Sequence, residues 1–193
     1  LDPPGAKVGT AVEVRVRGDN LDALRNLTFS HPGIRALPVM TAGTEWEDPR
    51  PVGDRFRVEI GAGVPPGIYE ARVAGRFGIS NPRAFSVGTL PERTDKNANH
   101  EPQNAAAAQV GETINGVVAK ETREFFKLTL GAGQRILIDC AAERIDSRLN
   151  GALILLDAEG RELARANDVL GLDPLLEFTA PRSGDYTLGL YDF

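Results

Sequence analysis

Residues 124–191 read EFFKLTLGAGQRILIDCAAERIDSRLNGALILLDAEGRELARANDVLGLDPLLEFTAPRSGDYTLGLY. From Glu124 to Tyr191, short apolar runs alternate with Gly, Asp, Asn and Ser turns, and no helical period is sustained. Regularly spaced short strands with such punctuation predict an antiparallel sandwich or barrel. Strands are expected over Glu124–Leu130, Arg135–Cys140, Leu153–Leu156, Arg161–Arg165, Leu175–Thr179 and Tyr186–Leu190. Gly131-Ala132-Gly133-Gln134 and Asp157-Ala158-Glu159-Gly160 are the turns between them. An earlier strand is expected within Glu112–Val118.

The same grammar holds upstream. Ala11 to Arg17 alternates strictly, with Val12, Val14 and Val16 on one face and Glu13, Arg15 and Arg17 on the other. Further strands are expected at Leu27–Ser30, Ile34–Val39, Arg55–Ile60, Ile68–Val73 and Ala84–Val87. The polar, proline-bearing segment Thr41–Asp54 reads as a loop holding the only tryptophan, Trp46. Between the two halves, TLPERTDKNANHEPQNAAAA lacks alternation and marks a linker. The organisation expected is a sandwich over 1–88, a polar linker over 89–108, and a second sandwich over 109–193. The fold class is therefore all-β, two antiparallel β-sandwich domains.

Composition narrows the function classes. A net charge of −5 with scattered Lys and Arg argues against a nucleic-acid surface, which gains its affinity from a basic patch. Apolar runs of a few residues leave no transmembrane helix in this segment. The single cysteine, Cys140, excludes an internal disulfide and, in phase with Ile136 and Ile138, reads as a small buried hydrophobe. Nucleophilic catalysis needs a base beside the nucleophile. The only histidines, His31 and His100, fall in what read as different domains, and neither lies in a recognisable catalytic motif. Asp95-Lys96-Asn97-Ala98-Asn99 opens like a calcium loop, but His100 and Ala106 stand where an EF-hand needs Gly and Glu. Asn167, Asp168 and Asp173 read as turn residues.

Two resemblances add to this reading. PPGAKVGTAVEVRVRGDNL and VPPGIYEARVAGRFGISNPRAFSV resemble the opening and the closing hairpin of IPT/TIG immunoglobulin-like domains. FFKLTLGAGQRILID, NGALILLDAEGRELARAND and LLEFTAPRSGDYTLGLYD, in that order, resemble the bacterial pre-peptidase C-terminal (PPC) domain across residues 99–193. These likenesses imply an immunoglobulin-like domain followed by a jelly-roll-like one, the latter lacking a final strand beyond Phe193. In the collagen-binding PPC domains of bacterial collagenases, an acidic linker and an Asp-x-x-Asp before the aromatic strand bind calcium. The resemblance thus implies metal ligands at Glu101, Asn104, Glu121 and Glu124, with Asn99 and Gln103 as weaker substitutes. This chain departs from that pattern: Asn99 replaces an acid, Glu121 and Glu124 replace Asp, and Arg123 sits inside the motif. Without the resemblance, the same residues are a solvated linker and surface glutamates. The function expected is a non-catalytic binding or spacing module of a larger secreted or cell-envelope bacterial protein, its extracellular polymer or protein partner unnamed. The alternative is the accessory C-terminal region of a secreted peptidase, with calcium-dependent substrate or matrix binding.

Overall fold

The computed structural model describes residues 1–95, 99–119 and 121–193. The chain is all-β and divides into two compact units, Leu1–Glu92 and Arg93–Phe193. The helical elements among the described residues are two three-residue 3-10 turns.

The first unit contains β1 (Gly5–Lys7), β2 (Ala11–Arg15), β3 (Asn26–Phe29), β4 (Ile34–Met40), β5 (Pro51–Ile60), β6 (Gly67–Gly75), β7 (Gly78–Ile79) and β8 (Arg83–Gly88). One sheet has the order β2-β5-β4; the other has the order β1-β8-β6-β3, with β7 also on β6. Alternation sorts each strand as the sequence leads one to expect. Phe56, Val58 and Ile60 are buried, and the intervening Arg57 and Glu59 are exposed. Val14 lies opposite Phe56 in the core, while on the outer face Arg55 binds Glu13 at 2.9 Å and Arg15 binds Asp54 at 2.6 Å. Phe85, fully buried on β8, meets Phe29 edge-on with ring centroids 5.0 Å apart.

One strand, β1, and the first residues of another, β5, lie where alternation does not show them. The Pro- and Gly-rich opening 1–10 shows no alternation, yet Gly5 begins β1, which pairs in parallel with β8. A Cβ at Gly5 would lie 2.4 Å from the Ser86 carbonyl oxygen, so only glycine allows this approach. β5 also begins at Pro51, inside the segment expected to be loop. A missing N–H is tolerated at the first residue of a strand.

The second unit contains β9 (Glu92–Thr94, at the division), β10 (Ala106–Ala107), β11 (Thr113–Asn115), β12 (Arg123–Leu130), β13 (Arg135–Asp139), β14 (Gly151–Leu156), β15 (Glu162–Asn167), β16 (Leu175–Thr179) and β17 (Gly184–Asp192). The large sheet runs β10-β12-β17-β14-β15, with β13 paired to β16 and β9 to β11. Leu128, Leu130, Ile136, Leu153, Leu155 and Leu176 share a core with Tyr186. The main ladders of both units are antiparallel; the short edge strands β1 and β10 run parallel to their neighbours. Both predicted turns form: Gln134 N–H donates to the Gly131 carbonyl at 3.0 Å, and Gly160 N–H to the Asp157 carbonyl at 3.0 Å.

From Arg93 onward, the described part of the expected linker is built into this unit. β9 pairs with β11, β10 lies beside Phe126 and Lys127, and Arg93 donates to the Ala107 carbonyl at 2.5 Å. Its polar composition is that of short edge strands as well as of spacers. Asp173 also does more than turn the chain. Fully buried, its carboxylate accepts the Ala142 and Glu143 N–H groups at 2.9 and 2.7 Å and the Arg144 Nε at 3.1 Å. The carboxylate thereby anchors the 142–144 segment to the strand that follows it.

One device recurs in both units. The Tyr69 hydroxyl donates to the Pro65 carbonyl at 2.7 Å, and the Tyr186 hydroxyl to the Arg182 carbonyl at 2.7 Å. Replacing Tyr186 by Phe removes one buried-end hydrogen bond and is expected to cost about 1 kcal/mol in chemical denaturation. Phe85→Ala empties a packed site in the first unit and is expected to cost about 3–5 kcal/mol. Losses of equal size from the two substitutions would contradict this division between pinning and packing.

Candidate metal centre

The residues expected to hold calcium lie at the entrance to the second unit, and the fold brings only some of them together. Asn99 is completely buried. It behaves as an added strand residue against β12: Phe125 N–H donates to the Asn99 carbonyl at 2.8 Å, and Asn99 Nδ2 donates to the Phe125 carbonyl at 2.7 Å. Glu124, the second residue of β12, is 7% exposed. Its Oε1 lies 3.0 Å from His100 Nδ1, which also lies 3.3 Å from the Arg123 carbonyl oxygen. Nδ1 thus faces two oxygens, one of them on the Glu124 carboxyl.

The other expected ligands stay on the surface. Glu101 caps the 3-10 turn Pro102–Asn104, in which the Asn104 N–H donates to the Glu101 carbonyl at 2.9 Å, and Glu101, Gln103 and Asn104 are all exposed. Glu121 is exposed with φ +62°, in a turn where Thr122 donates through both its N–H and its hydroxyl to the Ala119 carbonyl. Among the described residues, no three His, Cys, Asp or Glu side chains converge on a common point. Asn97, the middle oxygen of the loop-like stretch that opens at Asp95, lies outside the described residues.

Two features of the entrance nevertheless suit a cation. The Asn99 Oδ1 is buried and accepts no hydrogen bond among the described residues. Such orphaned buried oxygens are rare, because each forfeits its hydration. Burial also pushes the Glu124 carboxyl above its ordinary range; the positive side of His100 opposes this and the charge of Asp95 adds to it. A hard cation takes oxygen ligands and would relieve both groups. Asn99 and Glu124 are the residues that would hold it; Glu101, Gln103, Asn104 and Glu121 lie exposed on the surface.

Asp95 and His100 are the two participants that motif reading missed. His100 is exposed outside any strand, as a loop histidine is, yet its ring lies against Glu124, and Asp95 enters the sequence reading only as the first position of a failed EF-hand. Neither pattern carries the fact that the chain folds back beside β12. His31, in the first unit, is occupied differently: Gly33 N–H donates to its Nδ1 at 3.0 Å, and its ring meets Tyr69 edge-on at 5.3 Å. Cys140 is partly buried against the second core, and burial, then the nearby Asp173 and Asp139, push its thiol up to about 11. It therefore stays a thiol at neutral pH and is a poor nucleophile.

No family model matches the chain, and no curated protein does. Similar solved structures are distant. One is the surface glycan-binding protein SGBP-B of a Bacteroides ovatus mixed-linkage glucan utilization locus, solved with a heptasaccharide (12% identity, TM-score 0.33, 94% of this chain and 34% of that one). Another is Lac15 from a marine microbial metagenome (11% identity, TM-score 0.26, 98% of this chain and 51% of that one). A third is the secreted serine protease VesC of Vibrio cholerae (10% identity, TM-score 0.25, 97% of this chain and 44% of that one). The chain spans a third to about half the length of these proteins, and likeness at this level carries no argument about its activity.

The Glu124 shift sets a sign for pH dependence. A carboxyl raised above its ordinary value of 4.5 holds its proton longer in the folded state. Its contribution is then fully present below 4.5 and is lost as pH rises through the raised value. In thermal melts with chelator, Glu124→Gln is expected to gain on the parent protein as pH climbs from acid to neutral. A constant offset at every pH would contradict the shift.

Proposed function

We propose that this chain is a non-catalytic binding and spacing module of a larger secreted bacterial protein. The observation that carries the reading is where the large apolar side chains lie. Trp46, Phe77, Ile79 and Leu170 are well exposed, and they sit in loops or at the ends of hairpins in both sandwiches. Residues with catalytic chemistry are instead engaged in the scaffold: His31 with Gly33, His100 with Glu124, and Cys140 against the core. Loops carried on a rigid frame are where binding residues concentrate, and exposed apolar groups mark interaction sites.

The test is co-sedimentation with insoluble polysaccharides, peptidoglycan and collagen fibrils, run beside a screen of ester, peptide and glycoside hydrolysis. Retention on at least one polymer without turnover is the expected result. Turnover that disappears on replacing His31 or His100 would overturn the reading.

The buried, unpartnered Asn99 Oδ1 favours a second reading, in which calcium orders the entrance of the second unit and the chain is the accessory region of a secreted peptidase. Calcium would supply charge compensation to Glu124 and a partner to Asn99. A site binding only the folded state adds about 1.4 kcal/mol at ten times its dissociation constant. Millimolar calcium is therefore expected to raise the melting midpoint of the parent protein by a few degrees and to leave Asn99→Ala unmoved. An unchanged parent midpoint rejects the site.

A further inference from the structure

We infer that the hairpin tip 41–50, between β4 and β5, is a docking surface for a cationic, Lys/Arg-rich segment of a protein partner, with Trp46 as its anchor. This names the partner class and rests on the binding-module reading above.

The tip holds its shape through its own bonds. Thr41 N–H donates to the Arg50 carbonyl at 2.7 Å, and Arg50 N–H returns to Thr41 Oγ1 at 3.0 Å. Within that clasp, Thr44 N–H donates to the Glu47 carbonyl at 2.9 Å, and Thr44 Oγ1 accepts the Glu47 N–H at 3.1 Å and the Trp46 N–H at 3.4 Å. The ring of Pro49 lies 3.1 Å from where a Gly43 Cβ would stand, so the base of the loop is closed too. Trp46 is nevertheless 87% exposed, the most exposed of the large hydrophobic residues. A preorganised loop that leaves its largest apolar group in water gives up burial in the free protein and regains it only against a partner. Tryptophan is also the side chain most enriched at the energetic centres of interfaces.

The charges around the indole select the partner. Glu45, Glu47 and Asp48 are all exposed, against a single base, Arg50, in the same ten residues. No ion pair engages the three carboxylates among the described residues, whereas the arginines on the neighbouring sheet face are matched: Arg15 to Asp54, Arg55 to Glu13 and Arg57 to Glu59. An anionic membrane or nucleic acid would be repelled by this tip. A neutral sugar would stack on the indole and donate hydroxyls to the carboxylates, but would leave their three negative charges unpaired. A guanidinium or ammonium group uses both features, through cation–π contact with the indole face and pairing with the carboxylates.

Trp46 is the sole tryptophan of the chain, so its fluorescence reports this tip alone. The protein is titrated with oligolysine and oligoarginine, and in parallel with oligoglutamate and a neutral cello-oligosaccharide. The two cationic peptides are expected to shift or quench the emission saturably, with affinity falling about tenfold or more between low and high salt. The triple substitution Glu45→Gln, Glu47→Gln, Asp48→Asn retains the reporter and is expected to lose about tenfold in affinity with an unchanged melting midpoint. Absence of any response to cationic peptide overturns the inference, as does undiminished affinity in the triple variant. A response to the neutral sugar alone overturns the cationic partner while leaving the binding-module reading in place. Failure of polymer retention in the sedimentation assay, with the cationic response intact, does the reverse.

Discussion

Each unit is pinned by one hydrogen bond of the same kind, a tyrosine hydroxyl to the carbonyl four residues upstream. Tyr69 reaches Pro65, and Tyr186 reaches Arg182. In both, a glycine stands two residues before the tyrosine, Gly67 and Gly184, and opens the strand that the tyrosine belongs to. Those strands are central: β6 pairs with both β3 and β8, and β17 with both β12 and β14. A one-residue slip in either would turn its whole inward face to solvent. The bond fixes where the chain stops turning and begins to pair, and neighbouring registers follow from that point. The aromatic body contributes packing as well, Tyr186 against Phe178 and Tyr69 against His31.

The sheets were legible because one face of nearly every strand is buried. In β5 and β12 a period of two places Phe56, Val58, Ile60, Leu128 and Leu130 inward, and a single sequence displays that pattern directly. β1 and β10 escaped for a physical reason. Two or three residues are too short to show alternation, and both are edge strands whose identity comes from the strand beside them. Gly5 looks like turn chemistry in isolation and is a close-approach position once Ser86 is in place.

The candidate metal centre was only half legible. Glu124 could be placed at the start of a strand, but its burial depends on the chain folding back so that Asn99 pairs with Phe125, a contact spanning 26 residues. Local motif spacing holds no information on such a return. Nor does it distinguish Asn99, drawn wholly inside, from Gln103 four residues on, which stays in solvent. The exposed tip around Trp46 shows the opposite case. Its loop character was plain from composition, and only the bonding at Thr41 and Thr44 reveals that it is held in one shape.

The parallel pairing of β1 with β8 has a mechanical side. β1 is the first strand of its unit and β8 lies near its end, bonded through the Gly5–Ser86, Ala6–Val87 and Lys7–Gly88 pairs, with Ser86 N–H to the Pro4 carbonyl and Val8 N–H to the Gly88 carbonyl closing the ladder. Because the two strands run the same way, tension applied along the chain draws them past each other and loads these bonds together in shear. An antiparallel terminal pair would be peeled open one bond at a time. Three residue pairs thus act as a latch against stretching along the chain.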